Sequence, residues 1–296
     1  MTLRELGEDR LLAKLLRPGP RQPGVIVGPG DDCAIVEAAR GGKLMLLKTD
    51  CVVEGIHFTR TARAADVGWK AMARPLSDIA AMSGVPRFAL ITMILSPEVT
   101  VAWAAALNRG LRRAAAGYDV AVVGGETSST RGPATITVAI AGEVERGRRV
   151  LRSGGRARDP LFVTGKLGGS IRGHHLRFRP RVLEARWLTE HFRIHAMMDL
   201  SDGLGADLPR LAAASELGYQ LEQRAVPRNR GCSIQQAIND GEDYELLFAV
   251  APQAADELER RWAERWTLKL TRIGLLTAAR NPKTVAPSGY DHFKQR

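Results

Sequence analysis

The sequence predicts a mixed α/β protein of two domains in tandem, an α+β domain over residues 1–146 and an α/β domain over residues 147–296. Three observations support this. The chain has 296 residues, more than one ordinary core needs and enough for two of roughly 150 each. Strand-length and helix-length apolar segments alternate along it. A polar, basic stretch from Glu145 to Asp159, with glycines at 147, 154 and 155, separates two such sets.

In the first set, Leu44–Leu47 reads as a strand running into Lys48-Thr49-Asp50. Asp66–Met82 reads as a helix, apolar at Val67, Ala71, Leu76, Ile79 and Ala80; Pro75, lacking an amide donor, is expected to kink or break it. Ala89–Leu95 is a strand, Val99–Ala116 an alanine-rich helix, Val120–Val123 a buried strand and Ala134–Glu143 an alternating strand. The second set has strands at Leu161–Thr164, Tyr219–Glu222, Glu245–Val250 and Leu268–Ile273, and helices near Arg181–His191, Gly203–Ser215 and Pro252–Arg265.

Composition narrows the function. Hydrophobic residues make up 45% and charged residues 25%, the balance of a globular chain rather than a disordered one. No apolar run approaches the ~18 residues of a membrane span, and residues 1–16 lack the apolar core of a secretory signal. Cys33, Cys51 and Cys232 are odd in number and far apart, which argues against disulfides and a zinc site; the expected compartment is the cytoplasm. A net charge of +11 would suit a nucleic-acid partner, but the basic residues are dispersed and aromatics are only 5%. A solvated arginine-rich surface accounts for the charge better than nucleic-acid binding does, and a basic mouth for a phosphorylated small molecule would suit it as well.

The chemistry-bearing residues fall in acidic clusters at the ends of apolar segments: Gly28-Pro29-Gly30-Asp31-Asp32, Lys48-Thr49-Asp50, Gly124-Gly125-Glu126-Thr127 and Asp199-Leu200-Ser201-Asp202-Gly203, with Asp78 in the predicted helix. Hard cations such as Mg²⁺ take oxygen ligands, usually one or two carboxylates with phosphate oxygens and water. Taken alone, Asp202-Gly203 ahead of a helix favours a cap, while Gly28–Asp32 and Gly124-Gly125 read equally as turns or as functional. Their co-occurrence points to metal. No P-loop, dinucleotide fingerprint or protein-kinase catalytic loop is present, so a nucleotide would bind otherwise, with Gly165–Ser170 a candidate phosphate-contacting loop.

In order along the chain, Gly-x-Gly-Asp-Asp at 28–32, Thr49-Asp50 with His57, Leu76–Met82, Gly124–Thr127, Arg152-Ser153-Gly154, Asp199–Gly203, Gly241–Leu246 and Gly289–Phe293 resemble the thiamine-monophosphate kinase family, which is similar in fold to aminoimidazole ribonucleotide synthetase. The resemblance spans about Asp31 to Phe293. It implies an N-terminal domain that pairs with its copy in a homodimer, and magnesium ligands at Asp31, Thr49, Asp50, Asp78, Glu126, Asp199 and Asp202. It further implies ATP contacts at Gly125, Arg152 and Ser201, and thiamine monophosphate contacts at His57, Glu242 and Tyr290. Glu242 or Asp243 would balance the thiazolium charge or accept from the aminopyrimidine, with a turn role the alternative, and Tyr290 would cover the ring by a cation–π contact or else anchor the tail by packing.

The implied acceptor is a phosphate whose second pKa near 6 leaves it largely dianionic at neutral pH. It needs no general base, only relief from repulsion and in-line placement. Several residues depart from the family's usual pattern. Glu126 stands where aspartate is typical, Lys48 where serine or threonine is, Pro75 where asparagine is common and Asp240 where glycine is. The Gly165–Arg181 region is short and lacks an expected helix. These departures keep two other readings open: the same ATP–Mg²⁺ machinery with another acceptor, and a nucleotide-binding protein without turnover.

Overall fold

The computed structural model describes residues 2–6, 8–15, 23–37 and 42–278. Tyr290 and the motif around it lie outside the described residues. Two short helices, α1 (Leu3–Leu6) and α2 (Glu8–Leu15), and a short strand β1 (Val25–Val27) come first. The rest forms two units. One comprises Asp32–Leu151 with Arg172–His191, the other Arg152–Ile171 and Phe192 onward together with the described residues up to Asp31. Where the sequence suggests a single boundary at 146/147, the observed units interleave.

The first unit carries strands β2 (Ala34–Glu37), β3 (Lys43–Val53), β4 (Val85–Leu95), β5 (Ala121–Ser129) and β6 (Thr135–Glu145) and helices α3 (Ala64–Ala81) and α4 (Val101–Gly117). Its strands run in the order β2-β3-β6-β4-β5, antiparallel except for the β4–β5 pair. One sheet face packs on α3, most of whose side chains are buried, among them Val67, Met72, Leu76 and Ile79. That burial explains why Pro75 does not end the helix: tertiary packing outweighs one lost hydrogen bond. Gly68 lets α4 approach α3, since a Cβ there would lie 2.1 Å from the Leu107 carbonyl oxygen.

The strands run longer than apolar pattern alone suggests. β3 continues from Leu47 to Val53 because its inward positions Leu44, Leu46, Lys48, Asp50 and Val52 alternate with outward ones, two of the inward side chains being charged. β5 runs through Gly124-Gly125, which is strand rather than turn. A Cβ on Gly125 would come within 1.8 Å of the Ile91 carbonyl oxygen on β4, so a side chain would force the two strands apart.

The second unit carries β7 (Pro160–Thr164), helix α6 (Leu204–Ala214), α7 (Ile234–Asn239), α8 (Ala255–Arg265) and strands β8 (Ile194–Asp199), β9 (Gly218–Leu221), β10 (Leu246–Val250) and β11 (Leu270–Thr277). The sheet order is β8-β10-β7-β11-β9, antiparallel throughout. Leu161, Val163, Ala196, Met198, Leu247 and Ala249 meet Leu204, Leu208 and Leu211 of α6 in one buried core. Every residue of β7 and β10 is buried, and Phe162 stacks on Phe248 at 5.6 Å between ring centres. β8 and α7 are absent from the sequence expectation.

Between β7 and β8, the short Gly165–Arg181 region contains two single 3₁₀ turns, Ser170–Arg172 and His174–Leu176, followed by helix α5 (Val182–His191). This helix belongs with the first unit for identifiable reasons. The Arg186 guanidinium donates to both Glu145 carboxylate oxygens, at 2.7 and 2.9 Å, and to the Ser83 carbonyl. Thr189 and Ser83 share a hydroxyl hydrogen bond, Trp69 donates from its indole to the Phe178 carbonyl, and Tyr118 donates to that of Pro180.

Candidate functional site

In the first unit, the inward face of β3 sets Lys48 and Asp50 two residues apart against Arg74 and Asp78, which lie one turn apart on α3. Lys48 Nζ donates to Asp78 Oδ1 at 2.7 Å and stands 4.0 Å from Asp50 Oδ2; Arg74 Nη2 stands 3.8 Å from Asp50 Oδ1. Asp32, at 1% exposure, and Asp78, at 6%, bring carboxylate oxygens within 4.8 Å of each other. Burial opposes the Lys48 charge, but Asp78 and then Asp50 outweigh it, and the ammonium pKa is raised. Burial likewise acts to raise the Asp50 pKa, but Lys48 and Arg74 prevail and hold it below the ordinary carboxylate value.

Thr49, between Lys48 and Asp50, faces the opposite, exposed side of the sheet. Glu126 and Gly125 sit on β5, separated from β3 by β6 and β4, three strand spacings or about 14 Å in the sheet plane. Glu126 accepts from the Thr127 amide at 2.9 Å. Within the described first unit, then, Asp50 and Asp78 come together with Lys48, Arg74 and Asp32, whereas Thr49 and Glu126 do not join them through their side chains. His57 is buried: its Nδ1 accepts from the Val53 amide at 3.0 Å, which places the proton of the neutral ring on Nε2, and its carbonyl accepts from Lys70.

In the second unit two motifs interlock. The Glu242 amide donates to the Ser201 carbonyl at 2.7 Å, the Tyr244 amide to that of Leu200 at 2.8 Å, and the Leu200 amide to that of Glu245 at 2.9 Å. Asp199, Ser201, Asp202 and Glu242 thereby share one corner of the unit, although some 40 residues separate them in sequence. Glu242 (φ 54°) and Tyr244 (φ 51°) take left-handed backbone, a strain these bonds hold in place. Gly203 is the cap residue of α6. Asp202 does not cap the helix; its carboxylate accepts from Arg210, which also bridges to Asp207 at 3.0 Å. Asp207 is fully buried, accepts from the Asp202 amide, and has its pKa raised, first by burial and then by repulsion from Asp202.

The Gly165–Ser170 loop is tied to the same corner. Asp243 accepts from the Gly168 amide and the Ser170 hydroxyl, and Asp240 from the Gly169 amide. Asp243 is 1% exposed and committed to this loop, its pKa pushed up to about 7 chiefly by burial. Asp31 accepts from the Arg152 amide at 3.1 Å, joining two more of the motif residues. The site residues expected from the sequence do not include Asp32, Arg74, Asp207 and Arg210. The helical spacings Arg74–Asp78 and Asp207–Arg210 are the signal that could have pointed to them.

The residues thus assembled match known proteins along nearly the whole chain. Residues 30–144 match the N-terminal domain of AIR synthase related protein, and residues 138–286 its C-terminal domain. The thiamine-monophosphate kinase of Rhodopirellula baltica is 38% identical, with 90% of this chain and 88% of that protein covered. The chain belongs to the thiamine-monophosphate kinase family. The family's Escherichia coli K12 member is 32% identical over 97% of this chain and 98% of its own length. A solved structure, AaThiL complexed with AMPPCP and TMP, covers 99% of both chains at 32% identity, with a TM-score of 0.83. The two-domain α/β fold is that of the family.

Proposed function

We propose that this protein transfers the γ-phosphoryl group of ATP to thiamine monophosphate, giving thiamine diphosphate and ADP. The observation that carries this reading is the near-full-length similarity to thiamine-monophosphate kinases, including a structure with AMPPCP, an ATP analogue, and TMP. The interlocked corner at Asp199–Gly203 and Gly241–Glu245 agrees with it: Ser201 would contact ATP, and Glu242 the substrate. Arg152 and Gly125 would add ATP contacts, His57 and Tyr290 substrate contacts.

Magnesium suits the donor set. Asp199, Asp202 and Asp31 offer only oxygen, and Asp199 is 3% exposed at the end of β8. These three would hold Mg²⁺. The ion would supply charge neutralisation for the phosphates. The protein's own part is to orient two anions in line and offset their repulsion. The acceptor dianion makes a general base unnecessary, and His57, with its Nδ1 engaged by the Val53 amide, is suited to positioning rather than proton abstraction.

The outer face of the first sheet supports the reading of a homodimer. Leu47 on β3 and Phe88 on β4 both pair with Ala141 of β6, and with Met45, Leu90 and Val123 they leave an exposed apolar face. Among the described residues no helix is long and apolar enough to cross a membrane. Three cysteines without a disulfide among them suit a reducing cytoplasm.

The test is a product assay: purified protein with ATP, Mg²⁺ and thiamine monophosphate should yield thiamine diphosphate and ADP in equal amounts. ADP formed only with a different acceptor would favour the related enzyme, and ATP binding without turnover the inactive one.

A further inference from the structure

We propose that the Lys48 ammonium is a built-in cation standing in for a divalent metal ion at Asp78 and Asp50. The inference rests on the magnesium–ATP reading above and specifies which carboxylates of the first unit take no metal of their own. Lys48 is not a surface lysine that happens to reach an acid. It occupies an inward position of β3, in line with Leu46 and Val52, and its side chain is only 24% exposed. From there Nζ reaches Asp78 Oδ1 at 2.7 Å, with Asp50 Oδ2 at 4.0 Å. Asp50 is also faced by Arg74 at 3.8 Å, and Asp78 by Asp32 within 4.8 Å.

The charge balance is informative. Counting the first unit's residues alone, Asp32, Asp50 and Asp78 contribute three negative charges and Arg74 one positive, leaving a surplus of two that a Mg²⁺ ion would neutralise. Lys48 halves that surplus, and its ammonium occupies one of the two Asp78 carboxylate oxygens, Oδ1. A divalent ion placed there would have to displace a hydrogen-bonded ammonium and tolerate a like charge a few ångströms away, a repulsion that a largely buried site screens weakly. The pair Asp50 and Asp78 therefore does not fit a metal in this chain, and the protein is expected to bind one divalent ion fewer than a variant in which position 48 is neutral.

Manganese titration of the nucleotide-free protein, followed by the electron paramagnetic resonance signal of free Mn²⁺, counts the ions directly and needs no turnover. Lys48→Thr should bind one more Mn²⁺ per chain than the unmodified protein. Lys48→Met, which keeps the length but not the charge, provides the same test should the threonine variant fail to fold. Lys48→Arg should keep the original count. Equal Mn²⁺ counts and affinities in the unmodified and neutral variants would overturn the proposal, as would an extra ion in Lys48→Arg. Failure of the product assay with an extra ion in Lys48→Thr would reject the kinase reading and leave this one standing.

Discussion

Asp243 accepts hydrogen bonds from the Gly168 amide at 3.0 Å and the Ser170 hydroxyl at 2.5 Å, so a buried carboxyl 75 residues downstream shapes the glycine-rich loop that follows β7. Its pKa, pushed up to about 7, has a stability consequence of definite sign. Between the ordinary aspartate value near 4 and about 7, the unfolded chain has released this proton while the folded protein retains it. Stability therefore falls as pH rises through that window, by at most about 1.4 kcal/mol per pH unit. Urea denaturation at pH 5 and pH 8 should show this decline in the unmodified protein and a flatter profile in Asp243→Asn.

Glu145 has the opposite sign. Its hydrogen bonds to Arg186 lead in lowering its pKa to about 2, so the stability they contribute is present above pH 4.5 and lost as pH falls toward 2. Because the Glu145 side chain is 39% exposed, solvent screening holds the contribution to about 1 kcal/mol. Arg186→Met should cost about that much at pH 7 by thermal denaturation, and the difference should shrink at pH 3.

At Asp202, replacement by asparagine would remove a carboxylate from the interlocked corner and leave Arg210 only Asp207 of the two acids it bridges. The expected loss in kcat is on the order of 10²- to 10³-fold, with little change in the melting temperature. Steady-state kinetics at saturating ATP would check it, and an unaltered kcat would remove Asp202 from the machinery.

Phe88→Asp would place a charge in the exposed apolar face of the first sheet, where Phe88 is 53% exposed. Analytical ultracentrifugation should show the unmodified protein at twice the chain mass and the variant at the single-chain mass. A monomeric unmodified protein would count against the dimer.

Gly125→Ala would drive a Cβ to within 1.8 Å of the Ile91 carbonyl oxygen. Separating β5 from β4 should cost roughly 2–4 kcal/mol, measurable by chemical denaturation, and should weaken ATP binding in parallel.

Much of this molecule is legible in its sequence, because alternating apolar segments of strand and helix length mark β4, β6, α4 and, in the second unit, β7, β9, β10 and β11, though not β8. Pattern fails where polar residues occupy buried positions. The apolar run of β3 stops at Leu47, yet the strand continues, because Lys48 and Asp50 lie on its inward face. Paired glycines usually mark a turn, whereas Gly124 and Gly125 extend β5 and allow close approach to Ile91. The motif residues are recognisable by type and order, but their grouping is not. The meeting of Ser201 with Glu242 depends on the β8–β10 pairing, and the engagement of Asp78 by Lys48 depends on how α3 lies on β3; neither contact is encoded by local spacing.

The chain passes from one unit to the other after Asp31, after Leu151, after Ile171 and after His191. A gene divided near codon 147 would leave α5 on the fragment that does not contain Glu145, Ser83 and Trp69, and the first unit would lack the helix that covers α3. The two units are thus not separable modules in heredity: recombination or truncation that exchanges one half for a homologue's must carry the Arg172–His191 segment from the same parent as residues 32–151. That rule can be tested by comparing the soluble yield of chimaeras that obey it with those that break it.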